Sequence, residues 1–277
     1  MYMYSIFTIT IGDIIGVYIS ISSGQFWSPF DVAVCPVTGR VMVADYGNSR
    51  VQVFDDAFRH VMDITQAGPG ECLQFPCGVT VNSVGEIIVS DYAAHKVLIY
   101  SQAGQYSRQV TASLSSPRGL SVDDDDYIYI CNTGTYSVTV TDKAGVVIRS
   151  FGSKGTGPGQ FSSRPQYVTI HNDLVLVSDD NGRLYEFTRT GSFREMAYTG
   201  VIHKASGLAV DRSGDLVVVD GQSVSVIRGD SVVCSVGESG DKPWQLSDPR
   251  GVAVTKAGQI VVTDWHDSNL LVYDMTL

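Results

Sequence analysis

The sequence predicts an all-β fold: a six-bladed β-propeller of four-stranded antiparallel blades. Three observations lead there: a composition suited to strands and turns, a motif that recurs six times, and a spacing that fits one blade per copy. The 277 residues include 38 Val against 13 Leu and 24 Asp against 5 Glu. Val is β-branched and stiff at χ1, which suits strands. Asp bonds to its own local backbone, which suits turns. Leu and Glu, good helix formers, are scarce. Hydrophobic residues make up 44% of the chain, enough for a sizeable core, so disorder is excluded as the main state.

The repeat begins as PFDVAV, VMVAD and VQVFD between Pro29 and Asp55. It returns from Pro76, Pro117, Pro165, Ala205 and Pro249. The second strand of each copy ends at Asp45, Asp91, Asn132, Asp179, Asp220 or Asp264, with spacings of 46, 41, 47, 41 and 44 residues. Each copy holds three short strands. A fourth is expected after the third at Val61–Thr65, Tyr106–Thr111, Val146–Phe151, Phe193–Tyr198 and Ser231–Val236. Four strands in about 44 residues is the size of one propeller blade, so residues 1–277 read as one domain with blades starting near 29, 76, 117, 165, 205 and 249.

The sixth copy reaches Leu277 without a fourth strand, while the apolar N-terminal region has no blade of its own. In that region Val17, Ile19 and Ile21 alternate with Tyr18 and Ser20, the period of a strand. A signal peptide wants a basic start and an unbroken apolar core, but no Lys or Arg precedes Arg40 and Asp13 interrupts the run. Residues 14–22 are therefore assigned to blade six as its outer strand, pairing Ile14–Ile21 with Leu270–Tyr273. Residues 1–13 form an extension without an assigned role.

The second-strand residues Asp45, Asp91, Asn132, Asp179, Asp220 and Asp264 are read as structural acceptors of backbone N–H groups in the following turn. The Gly after Pro-x is read as permitting a tight turn at the channel mouth. Five Cys are too few for a disulfide scaffold. They imply a reducing, cytoplasmic setting, although Cys72 and Cys77 lie close enough in sequence to bridge.

Catalytic motifs are scarce: there is no H-E-x-x-H, C-x-x-C or G-x-S-x-G. Gly152–Gly159 is Gly-rich but leads into a strand, whereas a phosphate loop leads into a helix. Asp123–Asp126 reads as a solvated turn before a cation site, and Arg228-Gly229-Asp230 as an ordinary tight turn. No cofactor or metal is expected. Of the five His, only His203 and His266 sit where they could approach the channel mouth.

A binding surface is the stronger signal. One face of a propeller is built from inter-blade linkers and the loops after second strands. The residue after each blade's opening position lies at the channel mouth: Phe30, Cys77, Arg118, Gln166, Ser206 and Arg250. Farther out, Tyr46, Tyr92 and Trp265 follow the second strands of blades one, two and six, which become neighbours on closure. Phe30, Tyr46, Tyr92, Arg118, Gln166, Arg250 and Trp265 are the candidate partner-binding residues, since aromatic and Arg side chains are the usual interface anchors. The formal charge of −10 disfavours a phosphate backbone as ligand unless basic groups cluster.

The blade signature P-x-G-V-A-V, G-x-I-x-V-x-D and N-x-R-V-x-V-F-D resembles the NHL repeat, with ADYGNSRVQVFD in copy one and the linker GSKGTGPGQF as close matches. The resemblance covers residues 14–274. It departs at Tyr167, which replaces the Gly, and at Ala205, which replaces the Pro. It implies a domain like the C-terminal propeller of tripartite-motif ubiquitin ligases of the Brat and LIN kind. It also implies a larger parent with RING, B-box and coiled coil upstream. This chain itself is then no enzyme but a monomeric module that recruits a protein partner, away from any membrane. Single-stranded RNA is the alternative ligand, and a metal-dependent lyase or lactonase the third reading.

Overall fold

The computed structural model describes residues 4–11, 14–21, 26–238, 240, 242 and 244–274. Blade one runs from the centre outward as Pro29–Val34, Val41–Asp45, Arg50–Phe54 and His60–Ile64. Blade two is Pro76–Val81, Ile87–Asp91, Lys96–Tyr100 and Tyr106–Gln109. Blade three is Pro117–Val122, Ile128–Asn132, Ser137–Thr141 and Val147–Phe151. Blade four is Pro165–His171, Leu174–Asp179, Leu184–Thr188 and Phe193–Met196. Blade five is Ala205–Val210, Leu216–Asp220, Ser223–Arg228 and Ser231–Val236. Blade six is Pro249–Val254, Ile260–Asp264 and Asn269–Tyr273.

Every blade is an antiparallel meander, and the innermost strands touch in the cyclic order one to six and back to one. The strand Ile14–Ile21 lies beside Asn269–Tyr273, with Tyr18 opposite Tyr273 and Ile21 opposite Leu270. A further strand, Tyr4–Ile11, pairs with Ile14–Ile21 and widens this sheet to five strands. Residues 1–3, 12–13 and 22–25 lie outside the described ones, so the end of the assigned closing strand, residue 22, is among them.

Second strands are buried on both faces. Val41–Asp45, Ile87–Asp91 and Ile260–Asp264 have no exposed position, which is why they read as apolar runs rather than alternations. Apolar clusters fill the interfaces between blades. Between blades one and two, Met42, Val51 and Val53 meet Val79, Val89 and Leu98. Between three and four, Tyr129, Val138 and Phe151 meet Val177, Tyr185 and Phe187.

The Gly of the inner strand serves a different purpose from the one the sequence implies. Gly78, Gly119, Gly207 and Gly251 are not in the left-handed region. A Cβ on Gly119 would lie 2.4 Å from the Gln166 carbonyl oxygen, and one on Gly207 2.2 Å from that of Arg250. Each Gly lets the next blade's backbone approach closely. Blades one and four carry Asp31 and Tyr167 at this position instead.

All five Cys are free; Cys72 is exposed and Cys77 buried. Asp123, first of the carboxylate run, accepts from the backbone N–H of Asp125 and Tyr127 and from the Tyr129 hydroxyl, and it pairs with Arg189. That carboxylate is a turn organiser. Arg228 of the Arg-Gly-Asp sequence is held by Asp215 at 2.6 Å. No helix among the described residues is long and apolar enough to cross a membrane.

Candidate binding face

The face is fixed first by the second-strand carboxylates. Asp45 accepts from the backbone N–H of Trp27 at 2.8 Å, Asp91 from Gln74 at 2.7 Å, and Asn132 from Ser115 at 2.7 Å. Asp220 accepts from Lys204 at 2.6 Å and Asp264 from Ser247 at 2.7 Å. The donors lie mainly in the linker that enters the same blade, not only in the following turn. Asp179 differs in its linker donor, the Ser162 hydroxyl at 3.3 Å rather than a backbone N–H, and it also accepts from the Asn181 and Arg183 N–H groups and the Tyr185 hydroxyl. A reciprocal bond runs from each outer loop to its linker carbonyl, as from Tyr92 N–H to Phe75 and from Trp265 N–H to Asp248. Linkers and loops are thus locked into one surface.

The second device is a bulge. In every inner strand the pairing register slips just after the first position, for example between Pro29 and Asp31 and between Pro165 and Tyr167. A bulge re-aims a side chain. Here it carries Phe30, Cys77, Arg118, Gln166, Ser206 and Arg250 to one end of a central cavity of about 190 Å³ lined by all six inner strands.

That end is closed. The rings of Phe30 and Tyr167 stack across it, 5.8 Å apart and 13° from parallel. The Tyr167 hydroxyl donates to the Phe30 carbonyl at 2.9 Å, and Thr263 donates to the same oxygen at 3.2 Å. Burial holds the Tyr167 hydroxyl well above the ordinary tyrosine range. Beside it Asp31 is buried, accepting from the N–H groups of Val32 and Val79. Burial pushes its carboxyl up to about 7, despite those two hydrogen bonds.

Over this floor lies an aromatic layer. Trp265 meets Phe30 edge-on at 5.7 Å and Tyr46 at 5.1 Å. Tyr46 stacks on Phe75 at 4.8 Å. Arg118 completes it, its guanidinium 5.3 Å from the Phe30 ring centre and 4.9 Å from that of Tyr92. Phe30 and Gln166 are only 5% exposed, so they form the floor of the surface rather than its contact layer. Tyr46, Tyr92, Arg118, Arg250 and Trp265 are half-buried. Two aromatics missing from the sequence-based set join the face: Phe75, 40% exposed, and Trp27, 64% exposed. Both precede the opening Pro of a blade, and that linker position was the signal that could have found them.

Several cations of the face are engaged. Arg50 pairs with Asp45 and Asp63, Lys96 with Glu71, and Arg250 with Asp248 at 2.7 Å. His203 and His266 are exposed and lie against Asp220 and Asp267. Among the described residues no three His, Cys, Asp or Glu side chains gather so as to hold a metal ion.

Six four-stranded blades latched in this way make a six-bladed propeller, and the NHL repeat model matches residues 26–54 and 246–273. The chain is similar to the protein brain tumor of Drosophila melanogaster, 34% identical over 136 residues that make up 48% of this chain and 13% of that protein. It is also similar to the E3 ubiquitin-protein ligase NHLRC1 of Homo sapiens, 24% identical over 90% of this chain and 68% of that one. The E3 ubiquitin-protein ligase TRIM32 of Homo sapiens is 25% identical over 92% of this chain and 43% of its own length. Among solved structures, virginiamycin B lyase from Staphylococcus aureus superposes with a TM-score of 0.65 at 12% identity, over 98% of this chain and 94% of the lyase. A gluconolactonase of Xanthomonas campestris gives 0.69 at 16% identity, over 95% and 90%. At such identities the likeness is one of fold.

Proposed function

We propose that this chain is a non-catalytic recruiting module that binds a protein partner across the linker face, as the substrate-recognition part of a ubiquitin ligase. The observation that carries this reading is the closed channel mouth under a continuous aromatic layer. An enzyme of this architecture needs a pocket where a reacting centre can enter and be held. Phe30 and Tyr167 fill the channel axis here, with Tyr167 and Thr263 both donating to the Phe30 carbonyl, and leave only a rim pocket of about 250 Å³ beside Gln166 and Arg250. What they leave outside is a platform of Trp265, Tyr46 and Phe75 beside Arg118, the residue types that anchor protein interfaces. Likeness to two E3 ubiquitin-protein ligases over nine-tenths of the chain supports the ligase context.

A second reading has one observation in its favour: the half-open Tyr46–Phe75 stack could receive an unpaired base, with Arg118 near it. The pairing of neighbouring cations with Asp45, Glu71 and Asp248 and the charge of −10 leave little net positive field for a phosphate chain. The test is a binding assay with a verified partner. Tyr46→Ala with Trp265→Ala, and separately Arg118→Glu with Arg250→Glu, are expected to weaken binding by roughly 30-fold or more. Undiminished binding by both folded double variants would move the site elsewhere.

A further inference from the structure

We propose that the channel rim between Arg118, Gln166 and Arg250 is an acceptor site for a single carboxylate side chain of the partner, so that the recognised segment carries an Asp or Glu next to an apolar residue. This deepens the recruiting role and rests on it. The first observation is a set of buried donors without acceptors. Gln166 is 95% removed from solvent by its 5% exposure, and its side-chain Nε2 has no partner. The Arg118 Nη1 donates to the Gln166 Oε1, which fixes the amide so that Nε2 points away from Arg118. The Nε groups of Arg118 and Arg250 are buried and likewise lack acceptors. Buried donors are rarely left unpaired in native proteins, and each one costs stability. Three at one rim call for an anionic acceptor.

The second observation is their convergence. Arg118 stands on blade three, Gln166 on blade four and Arg250 on blade six, each at the bulge of its inner strand. The charges of both arginines bear on the Tyr167 hydroxyl and on Asp180. A pocket of about 250 Å³ opens on the Arg250 side of Gln166, lined by Gln166, Lys204, Ser206 and Arg250 together with the carboxylates Asp179, Asp180 and Asp248, while Arg118 reaches it only through Gln166. That volume suits one side chain.

The third observation is charge balance. Asp248 already holds Arg250. Asp180 lies beside both arginines, and burial raises its carboxyl above the ordinary range against their pull. Asp179, Asp180 and Asp248 balance Lys204, Arg250 and the adjoining Arg118, so one further carboxylate is held by the unpaired donors rather than by surplus charge; a polyanion, which needs a row of cations, finds no seat. A carboxylate accepts up to four hydrogen bonds and matches the guanidinium fork. The neighbouring layer of Trp265 and Tyr46, joined to Arg118 through Phe30, offers the apolar seat for the adjacent residue.

The experiment selects binders from a display library of random twelve-residue peptides on the intact chain, then compares a synthetic binder with its Glu→Gln or Asp→Asn form. The expected result is an acidic residue fixed at one position, with about 10- to 100-fold weaker binding of the amide form. Arg118→Gln and Arg250→Gln should each weaken the acidic peptide by several-fold more than the amide form. That coupling separates a direct contact from loss of packing under Arg118, and Arg118→Lys should recover only part of the effect. Peptides that bind, and are lost in Trp265→Ala, without any preference for an acid overturn the carboxylate site while leaving the recruiting role intact. A library without binders, or binding only of a random single-stranded RNA pool, overturns both.

Discussion

Removing the Tyr167 hydroxyl tests whether the channel mouth is closed by the bonds described. Tyr167→Phe keeps the ring stacked on Phe30 at 5.8 Å but deletes a 2.9 Å hydrogen bond at a residue only 5% exposed. A buried neutral hydrogen bond contributes about 1 kcal/mol. The Phe30 carbonyl keeps the Thr263 hydroxyl at 3.2 Å, so it is not orphaned and the cost stays near that figure. In a chain of this size about 1 kcal/mol is roughly 2 °C in Tm. Thr263→Val removes the other donor and also the acceptor of the Gly251 N–H. In the double variant the Phe30 carbonyl is left buried with neither, so the loss should exceed the sum of the single losses by about 1 kcal/mol or more. Tyr167→Ala empties a ring-sized space and should cost about 3–5 kcal/mol. The assay is urea unfolding followed by circular dichroism at fixed pH. Strict additivity of the first pair, or a Tyr167→Ala variant as stable as the parent, would refute the closure.

Deleting residues 1–23 removes the strand that pairs with Asn269–Tyr273 and opens that edge; thermal melts and sedimentation should show a clearly lower Tm or self-association, and an unchanged monomer would show that ring stability does not depend on it. The Asp31 carboxyl, raised by burial from 3.8 to about 7, favours the protonated form in the folded state. Its contribution to stability is therefore complete below about pH 4 and is lost as pH rises through about 7. Asp31→Asn should flatten the decline in unfolding free energy over that window, and an unaltered pH profile would count against the buried, raised carboxyl.

The blades were legible because strand burial leaves its period in the chain. Second strands such as Ile260–Asp264 are covered on both faces and read as continuous apolar runs, while the turn Asp residues mark where each one ends. The site was legible only in part. Sequence placed Phe30 and Gln166 on the mouth by their spacing from the opening Pro, but spacing carries no information about depth, and both lie in the floor. The departure at Tyr167 was visible as a missing Gly. Its meaning was not, because its partner Phe30 lies 137 residues away and meets it only when blades one and four face each other across the ring. The Gly positions misled for a similar reason: their constraint comes from the next blade's backbone, not from their own dihedral angles.

The proposed role of the linker face in binding is most directly tested by hydrogen exchange of the chain with and without a verified partner. Protection is expected at the linkers and outer loops of blades six, one and two, around Trp27, Tyr46, Phe75, Tyr92, Asp248 and Trp265, whose backbone groups already form the latch between linker and loop. Protection confined to the opposite turns, around Gly39, Gly85, Asp124 and Gly214, would contradict it.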